Sequence, residues 1–160
     1  MTIADTKNAI TGQLCGIARK AAPRVPMETL DMASVSIELG LEGDYRGKLK
    51  KRKITVLAQE DWHAACADIN RADLDWTVRR ANLLVSGFAL PRETGTRFAI
   101  GDLILEVSGE TDPCHRMEEA ATGLENALRP NWRGGVTCRV IEGAEIAVGA
   151  PVQLRLGAQH

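Results

Sequence analysis

Phe98-Ala99-Ile100-Gly101-Asp102-Leu103-Ile104-Leu105-Glu106-Val107 sets a Gly-Asp pair between two apolar runs, the short-range signature of a β-hairpin. The second strand of this hairpin delivers the chain to Gly109-Glu110-Thr111-Asp112-Pro113-Cys114-His115-Arg116-Met117-Glu118-Glu119. Thr111 or Asp112 can cap a helix through a side-chain oxygen, and Pro113 suits the first helical position, where a missing N–H costs nothing. A helix is therefore predicted to begin here. Cys114 then falls in its first turn, where unpaired backbone N–H groups and the positive end of the helix dipole favour a thiolate over a thiol. The alternative reading of the same residue is a half-buried cysteine in a capping turn. The helical pattern runs on through Met117, Ala120 and Ala121, breaks at Gly123, and resumes through Leu124 and Leu128 until Pro130 stops it, as two short helices or one kinked helix.

Outward from the hairpin, most of the chain reads as short strands punctuated by turns. Residues 13–19 suit a first strand, and Val35-Ser36-Ile37-Glu38-Leu39 alternates apolar and polar as a half-buried strand does. Ile54-Thr55-Val56-Leu57-Ala58, residues 81–87 and 134–141, and, after a tight bend through 145–149, the alternating Val152-Gln153-Leu154-Arg155-Leu156 complete the set. Between them, residues 59–69 carry early acids and then Trp62, Ala65, Cys66 and Ile69 at helical spacing, which predicts a short packed helix. On this helix Cys66 belongs to the core face and His63 to the surface. Cys138, on a strand face with Val136 and Val140, is expected to be structural. Such a pattern argues for a mainly β protein, an antiparallel β-barrel or strongly curved sheet decorated by a few short helices. No repeat or linker divides it, so one domain over residues 1–160, with its core at about 13–156, is expected.

The totals narrow the function. At 160 residues with 26% charged side chains and a formal charge of −1, the chain has no global attraction for nucleic acid or an anionic membrane, so any anion site must be local. Aromatics at 4% leave little for base stacking, which argues against a small RNA-binding barrel. No run approaches the ~20 apolar residues of a membrane helix, and the first residues lack the basic-then-apolar order of a secretion signal, so a cytoplasmic location is expected. The four cysteines, Cys15, Cys66, Cys114 and Cys138, form no Cys-x-x-Cys pair, which gives no basis for a structural zinc site and leaves Cys114 free to act in a reducing compartment.

One further stretch carries ligand-binding character. Gly40-Leu41-Glu42-Gly43-Asp44-Tyr45-Arg46-Gly47-Lys48 is a glycine-rich loop, and six of the eight residues from Arg46 to Lys53 are basic. Backbone nests and Lys/Arg side chains of this kind hold phosphate or pyrophosphate. The same composition also suits a solvated, charged hairpin tip.

GLEGDYRGK (40–48), RKITVLAQEDW (52–62), RRANLLVSGFAL (79–90), IGDLILEVSGETDPCHRME (100–118) and VIEGAEIAVGAPVQL (140–154), in that order, resemble a MOSC domain, the module similar to the C-terminal part of molybdenum cofactor sulfurases. The resemblance runs from about Gln13 to Leu156. It implies a β-rich, barrel-like fold and a functional cysteine at Cys114, which in such proteins either ligates the molybdenum of a pterin cofactor or carries sulfur as a persulfide for cofactor or metal-sulfur cluster assembly. Some stand-alone members reduce N-hydroxylated compounds. A thiolate serves both roles, being a nucleophile and a soft metal ligand. The resemblance also makes Gly43, Asp44, Arg46, Lys48, Arg52 and Lys53 the receivers of the pterin's phosphate or nucleotide tail, joined by Asn82 and by His115 beside the cysteine. Asn82 corresponds to the asparagine of a Gly-Glu-Asn-like motif that here reads Arg80-Ala81-Asn82, and a histidine found two residues after the Gly-Asp pair is here Arg46. The expected partners are the pterin cofactor or another anionic small molecule, together with a sulfur donor or an electron-transfer protein, because no flavin, iron–sulfur or pyridoxal-phosphate motif is recognisable. The alternative is a non-catalytic module that binds or delivers the pterin or another anion through residues 46–53.

Overall fold

A computed structural model of the chain describes residues 11–48 and 53–155. Seven strands close into a barrel in the order β11 (Pro151–Arg155), β7 (Arg97–Ile100), β8 (Leu103–Glu110), β9 (Val136–Glu142), β5 (Ile54–Ala58), β6 (Leu83–Ser86) and β1 (Gly12–Arg19), with β1 pairing back to β11. β2 (Glu28–Leu30) extends the sheet beyond β1, while β10 (Ala144–Ala147), β3 (Met32–Ser36) and β4 (Gly40–Leu41) form a separate three-stranded sheet. The Gly101-Asp102 hairpin forms as expected, with Ile100 opposite Leu103 and Arg97 opposite Glu106.

Six of the seven barrel pairs are antiparallel, and the seventh, β5 with β6, is parallel. Parallel neighbours need a long crossover, and residues 59–82 supply it through α1 (Gln59–Asp68) and a 3-10 helix at Trp76–Arg79. The strand alternation read from the sequence assumed neighbours in antiparallel pairs and did not reveal this one.

Two cores result instead of one. Inside the barrel pack Leu14, Ile17, Val56, Phe98, Leu105 and Val107 among others. Outside it, Leu57 and Leu84 on the outer faces of the parallel pair meet Trp62, Cys66 and Ala65 of α1, Met117 of α2 (His115–Ala120) and Leu124 of α3 (Leu124–Ala127). Leu14 and Ile17, three apart, both point inward because the register of β1 shifts between Leu14 and Gly16, so Cys15 is the extra residue of a bulge. Gly16 lies against the indole of Trp76, where a Cβ would sit 2.7 Å from the ring.

Two expectations are corrected, and one strand, β2, is added. The strand predicted at 35–39 is Met32–Ser36, with Ile37 and Leu39 exposed in the turn that follows, because β3 pairs with β10 and β4 over the earlier residues. β2 was hidden behind the two prolines of the preceding loop. Between β8 and α2 the chain stays extended through Thr111–Cys114 and turns helical only at His115, with no side-chain cap. Cys114 is the residue before the helix, and the helix it precedes has six residues.

Candidate functional site

The crossover that returns the chain to β6 leaves part of the outer barrel face bare. There, Thr55 of β5, Ser108 of β8 and Thr137 of β9 floor a cavity of about 790 Å³. Ser108 is outward by ordinary strand alternation, on the face opposite the inward Leu105 and Val107, and its hydroxyl donates to the Thr137 carbonyl at 3.1 Å.

One wall is the 3-10 helix. Asp75 caps it, accepting from the Thr77 N–H at 3.1 Å, and it ends at Arg80 in the left-handed conformation, φ 71°. The buried Arg79 donates from Nε to the Gly134 carbonyl at 3.1 Å and from Nη2 to the Thr111 carbonyl at 2.8 Å, which ties the strand that leads to Cys114 to the entry of β9. A Cβ at Gly134 would lie 2.5 Å from the Thr111 carbonyl oxygen, so only glycine allows this approach. Arg80 is held from the other side: Arg46 donates to its carbonyl at 2.9 Å, and Arg46 is itself clamped by Asp44, whose side chain is fully buried, at 3.0 Å.

The opposite rim carries Cys114. The thiol is exposed, and the residue is fixed by its carbonyl, which accepts from the Met117 N–H at 2.8 Å, and by Met117, which is buried in the outer core. Pro113 beside it is buried. Arg80 and Arg116 line the same cavity without an acidic partner for their side chains among the described residues, and burial together with the Arg116 charge disfavours the cationic form of Arg80. Glu110, also on the wall, is held above the usual carboxyl range by burial and by Asp112 next to it. Thr111 is nine-tenths buried, and its hydroxyl finds no hydrogen-bond partner among the described residues.

The MOSC domain family model matches residues 41–153, most of the chain and all of the cavity's walls. The chain belongs to the MOSC domain family. MOSC domains are associated with molybdenum cofactor-related function in general. The fold is similar to that of the YuaD protein from Bacillus subtilis (17% identity, 90% of this chain and 95% of that one covered, TM-score 0.77). It is also similar to YiiM from Escherichia coli (19%, 89% and 69%, 0.67) and to YiiM from Geobacillus stearothermophilus (18%, 94% and 77%, 0.64). No curated protein matches the chain.

Within this MOSC domain the residues expected at the site divide. Cys114 and Arg46 line the cavity. Asp44 positions Arg46 and also accepts from the Lys20 N–H at 3.0 Å, and Gly43, at φ 87°, lies under the Arg19 guanidinium. Lys53 is turned to two carbonyls, Glu38 in the β3–β4 turn at 2.6 Å and Gly47 at 3.1 Å. Lys48 ends the 3-10 helix Tyr45–Lys48, and Arg52, with Lys50 and Lys51, lies outside the described residues. Asn82 is fully buried and stitches the barrel: its Oδ1 accepts from the Thr55 N–H at 3.1 Å, and its Nδ2 donates to the Ala18 carbonyl at 3.1 Å. His115 points away from the cavity, exposed and 3.7 Å from Glu119.

Sequence reasoning passed over Arg79, Arg80, Thr111, Ser108 and Thr137. The adjacent Arg79-Arg80 pair directly before the Asn82 strand was the available signal, since two cations entering a buried strand need a reason. Among the described residues no group of three or more His, Cys, Asp or Glu side chains is arranged to hold a metal ion, and no helix is long and apolar enough to cross a membrane.

Proposed function

We propose that this MOSC domain holds a molybdenum-pterin cofactor in the cavity at Cys114, with the Cys114 sulfur as the protein's ligand to the metal and Arg80 and Arg116 receiving the cofactor's anionic end. The observation that carries the reading is the placement of one exposed sulfur on the rim of a cavity together with two guanidinium groups that have no acidic partner among the described residues. The residues fit the group. A thiolate is a soft donor suited to a transition metal. A single sulfur with no companion ligands cannot chelate a bare ion, so a metal bound here has to bring its other ligands with it. The Thr111 hydroxyl, buried and unpartnered on the wall, is a donor available to a ligand in a cavity whose volume is within the ~300–1,000 Å³ of small-molecule sites. When bound, the cofactor would supply two-electron chemistry at the metal, such as reduction of an N-hydroxylated compound.

This chain's own residues orient and protonate. Arg79 fixes the Thr111–Cys114 strand, Arg46 fixes the Arg80 backbone, and Glu110, which keeps its proton to higher pH than an ordinary carboxyl, is placed to give one up within the cavity. A second reading draws on the exposure of Cys114: a donor persulfide transfers its outer sulfur to the Cys114 thiolate, which becomes a persulfide as the donor leaves as a thiolate. A third is a delivery module that holds the pterin without using the cysteine.

Metal analysis and intact-mass measurement on protein purified from a cofactor-producing host, beside Cys114→Ser, separates the three. Near-stoichiometric molybdenum that Cys114→Ser loses supports metal ligation. No molybdenum, with a reductant-sensitive gain of one sulfur atom confined to the wild type, replaces it with sulfur carriage. Pterin retained equally by both proteins replaces it with delivery.

A further inference from the structure

The outer face of the barrel carries a row of charge that the cavity does not use. The registers of β11, β7, β8 and β9 place Arg155 opposite Arg97, Arg97 opposite Glu106 and Glu106 opposite Arg139. One row of side chains thus crosses four neighbouring strands with three cations and one carboxylate. Strands lie ~4.8 Å apart, which makes the row about 14 Å long. Leu105 and Val107 on β8 and Cys138 and Val140 on β9 point into the barrel, so Glu106 and Arg139 between them point out.

The row is not a neutral ladder. Arg139 donates from Nε and Nη2 to Glu106 Oε1 at 2.8 and 2.6 Å, and Arg97 donates from Nε to Oε2 at 3.1 Å. These bonds hold the carboxylate beneath the two guanidiniums: the Glu106 side chain is 14% exposed, against 36% for Arg97 and 54% for Arg139. Arg155 is exposed, has no acidic partner among the described residues, and stands directly across from Arg97, an arrangement of like charges that weakens a strand pair. The face therefore hides its one acid and presents three cations to solvent. The next outward row toward the hairpin turn, Gln153, Ala99 and Ile104, adds no charge.

Position ties the row to the cavity. Ser108 and Thr137, which floor it, lie two residues from Glu106 and Arg139 on the same strands, a step of about 7 Å. None of the four side chains in the row lines the cavity, so the row is separate from Arg80 and Arg116. A small anion gains little from guanidiniums spread along a solvent-facing sheet, whereas a protein face with matching carboxylates meets all three at once, and such complementarity sets the rate and specificity of protein association. The chain's formal charge of −1 offers an extended nucleic acid or an anionic bilayer no attraction beyond the row, which favours a compact acidic patch.

We propose that the row of Arg155, Arg97, Glu106 and Arg139 is the docking surface for the acidic face of a partner protein that works at the Cys114 cavity. Glu106 fixes the directions of the Arg97 and Arg139 guanidiniums, and Arg155 extends the cationic face by one strand. This deepens the reading above and rests on it only for what the partner exchanges at the sulfur.

The full chain, free of metal, is titrated with a hexaglutamate peptide and followed by backbone NMR, beside hexathymidylate and phosphatidylserine vesicles. The peptide shifts the amides of residues 97–99, 104–106, 139–141 and 153–155, and its affinity falls as salt rises. Arg155→Glu weakens it roughly tenfold, a lost attraction plus a new repulsion, and Glu106→Gln, which removes the acid of the row, tightens it severalfold. Where Glu106→Gln melts below the wild type, Arg155→Glu, at an exposed position held only through its backbone, carries the test. Shifts confined to residues 46–48 or to the cavity, an unchanged affinity in Arg155→Glu, or binding of hexathymidylate or the vesicles as tight as that of the peptide overturns the proposal. Cys114→Ser leaves the titration unaltered, so loss of molybdenum or persulfide in that variant tests the reading at Cys114 alone, and failure of the peptide to bind tests the docking surface alone.

Discussion

Replacing Arg80 by glycine is expected to make the fold more stable and the site weaker. Arg80 ends the 3-10 helix at φ 71°, ψ 25°, where an L-residue with a Cβ is disfavoured by roughly 1–2 kcal/mol. Glycine removes that cost and gives back about 0.5–1 kcal/mol in unfolded-chain entropy. The two hydrogen bonds that hold the position use its backbone, the N–H to the Thr77 carbonyl at 3.0 Å and the carbonyl from Arg46 at 2.9 Å, so both survive the change. The net gain is about 0.5–1 kcal/mol, a rise of roughly 1–4 °C in Tm for a chain of this size. Arg80→Ala keeps the left-handed strain and removes only the charge, including its repulsion with Arg116. The difference between the two variants in thermal unfolding therefore isolates the backbone term, while each loses affinity for an anionic probe by about tenfold. If Arg80→Gly melts below Arg80→Ala, the left-handed turn is not a strained arginine held for its side chain, and the reasoning fails.

Asn82→Ala leaves the Thr55 N–H and the Ala18 carbonyl without their side-chain partner inside the barrel wall and should cost about 3 kcal/mol, roughly 6–12 °C in Tm, by calorimetry or denaturant titration. Glu110 is raised above 4.5 by burial and by Asp112. The folded state therefore binds more protons there than the unfolded one, and stability falls as pH rises from 4.5 through the folded value. Glu110→Gln flattens that fall and is the more stable protein at neutral pH, as urea unfolding across pH 4–8 measures. Timed alkylation read by mass spectrometry should modify Cys114 first, because it is exposed, and reach Cys66 and Cys138 only on unfolding, since burial shields both and pushes both thiols up in pKa.

The strands were legible because their chemistry is local. Gly101-Asp102 between apolar runs has one good solution, and the 54–58 and 152–155 segments alternate or stay apolar as their barrel positions demand. Asn82 shows where that legibility stops. By resemblance it read as a ligand contact, yet four of its hydrogen bonds run to Thr55 and Ala18, 27 and 64 residues away. Charge runs are limited in the same way. Residues 46–53 are the most basic stretch of the sequence, but of their described side chains Arg46 is matched to Asp44 and Lys53 to carbonyls. The two cavity-lining guanidiniums without an acidic partner among the described residues come from positions 80 and 116, which no window of sequence brings together. Whether an arginine is free depends on which acids fold beside it, and that is a property of the tertiary structure.

Why the site lies where it does follows from counting strands. A closed ring can alternate strand direction throughout only if the number is even; seven strands force one parallel pair, here β5 with β6. A parallel pair cannot be joined by a hairpin, so its connection has to cross the outside of the barrel, and a helix is the usual means. α1 fills the start of that path and builds the second core, but residues 76–82 must then dive from the helix layer to the start of β6. That descent carries the 3-10 helix, Arg79, the left-handed Arg80 and Ala81 to one end of the barrel, beside the ends of β8 and β9 from which the Cys114 strand departs. The sulfur and the arginines therefore meet at the closure point of an odd barrel. An eighth strand that removed the parallel pair would also remove the crossover and with it the wall of the site.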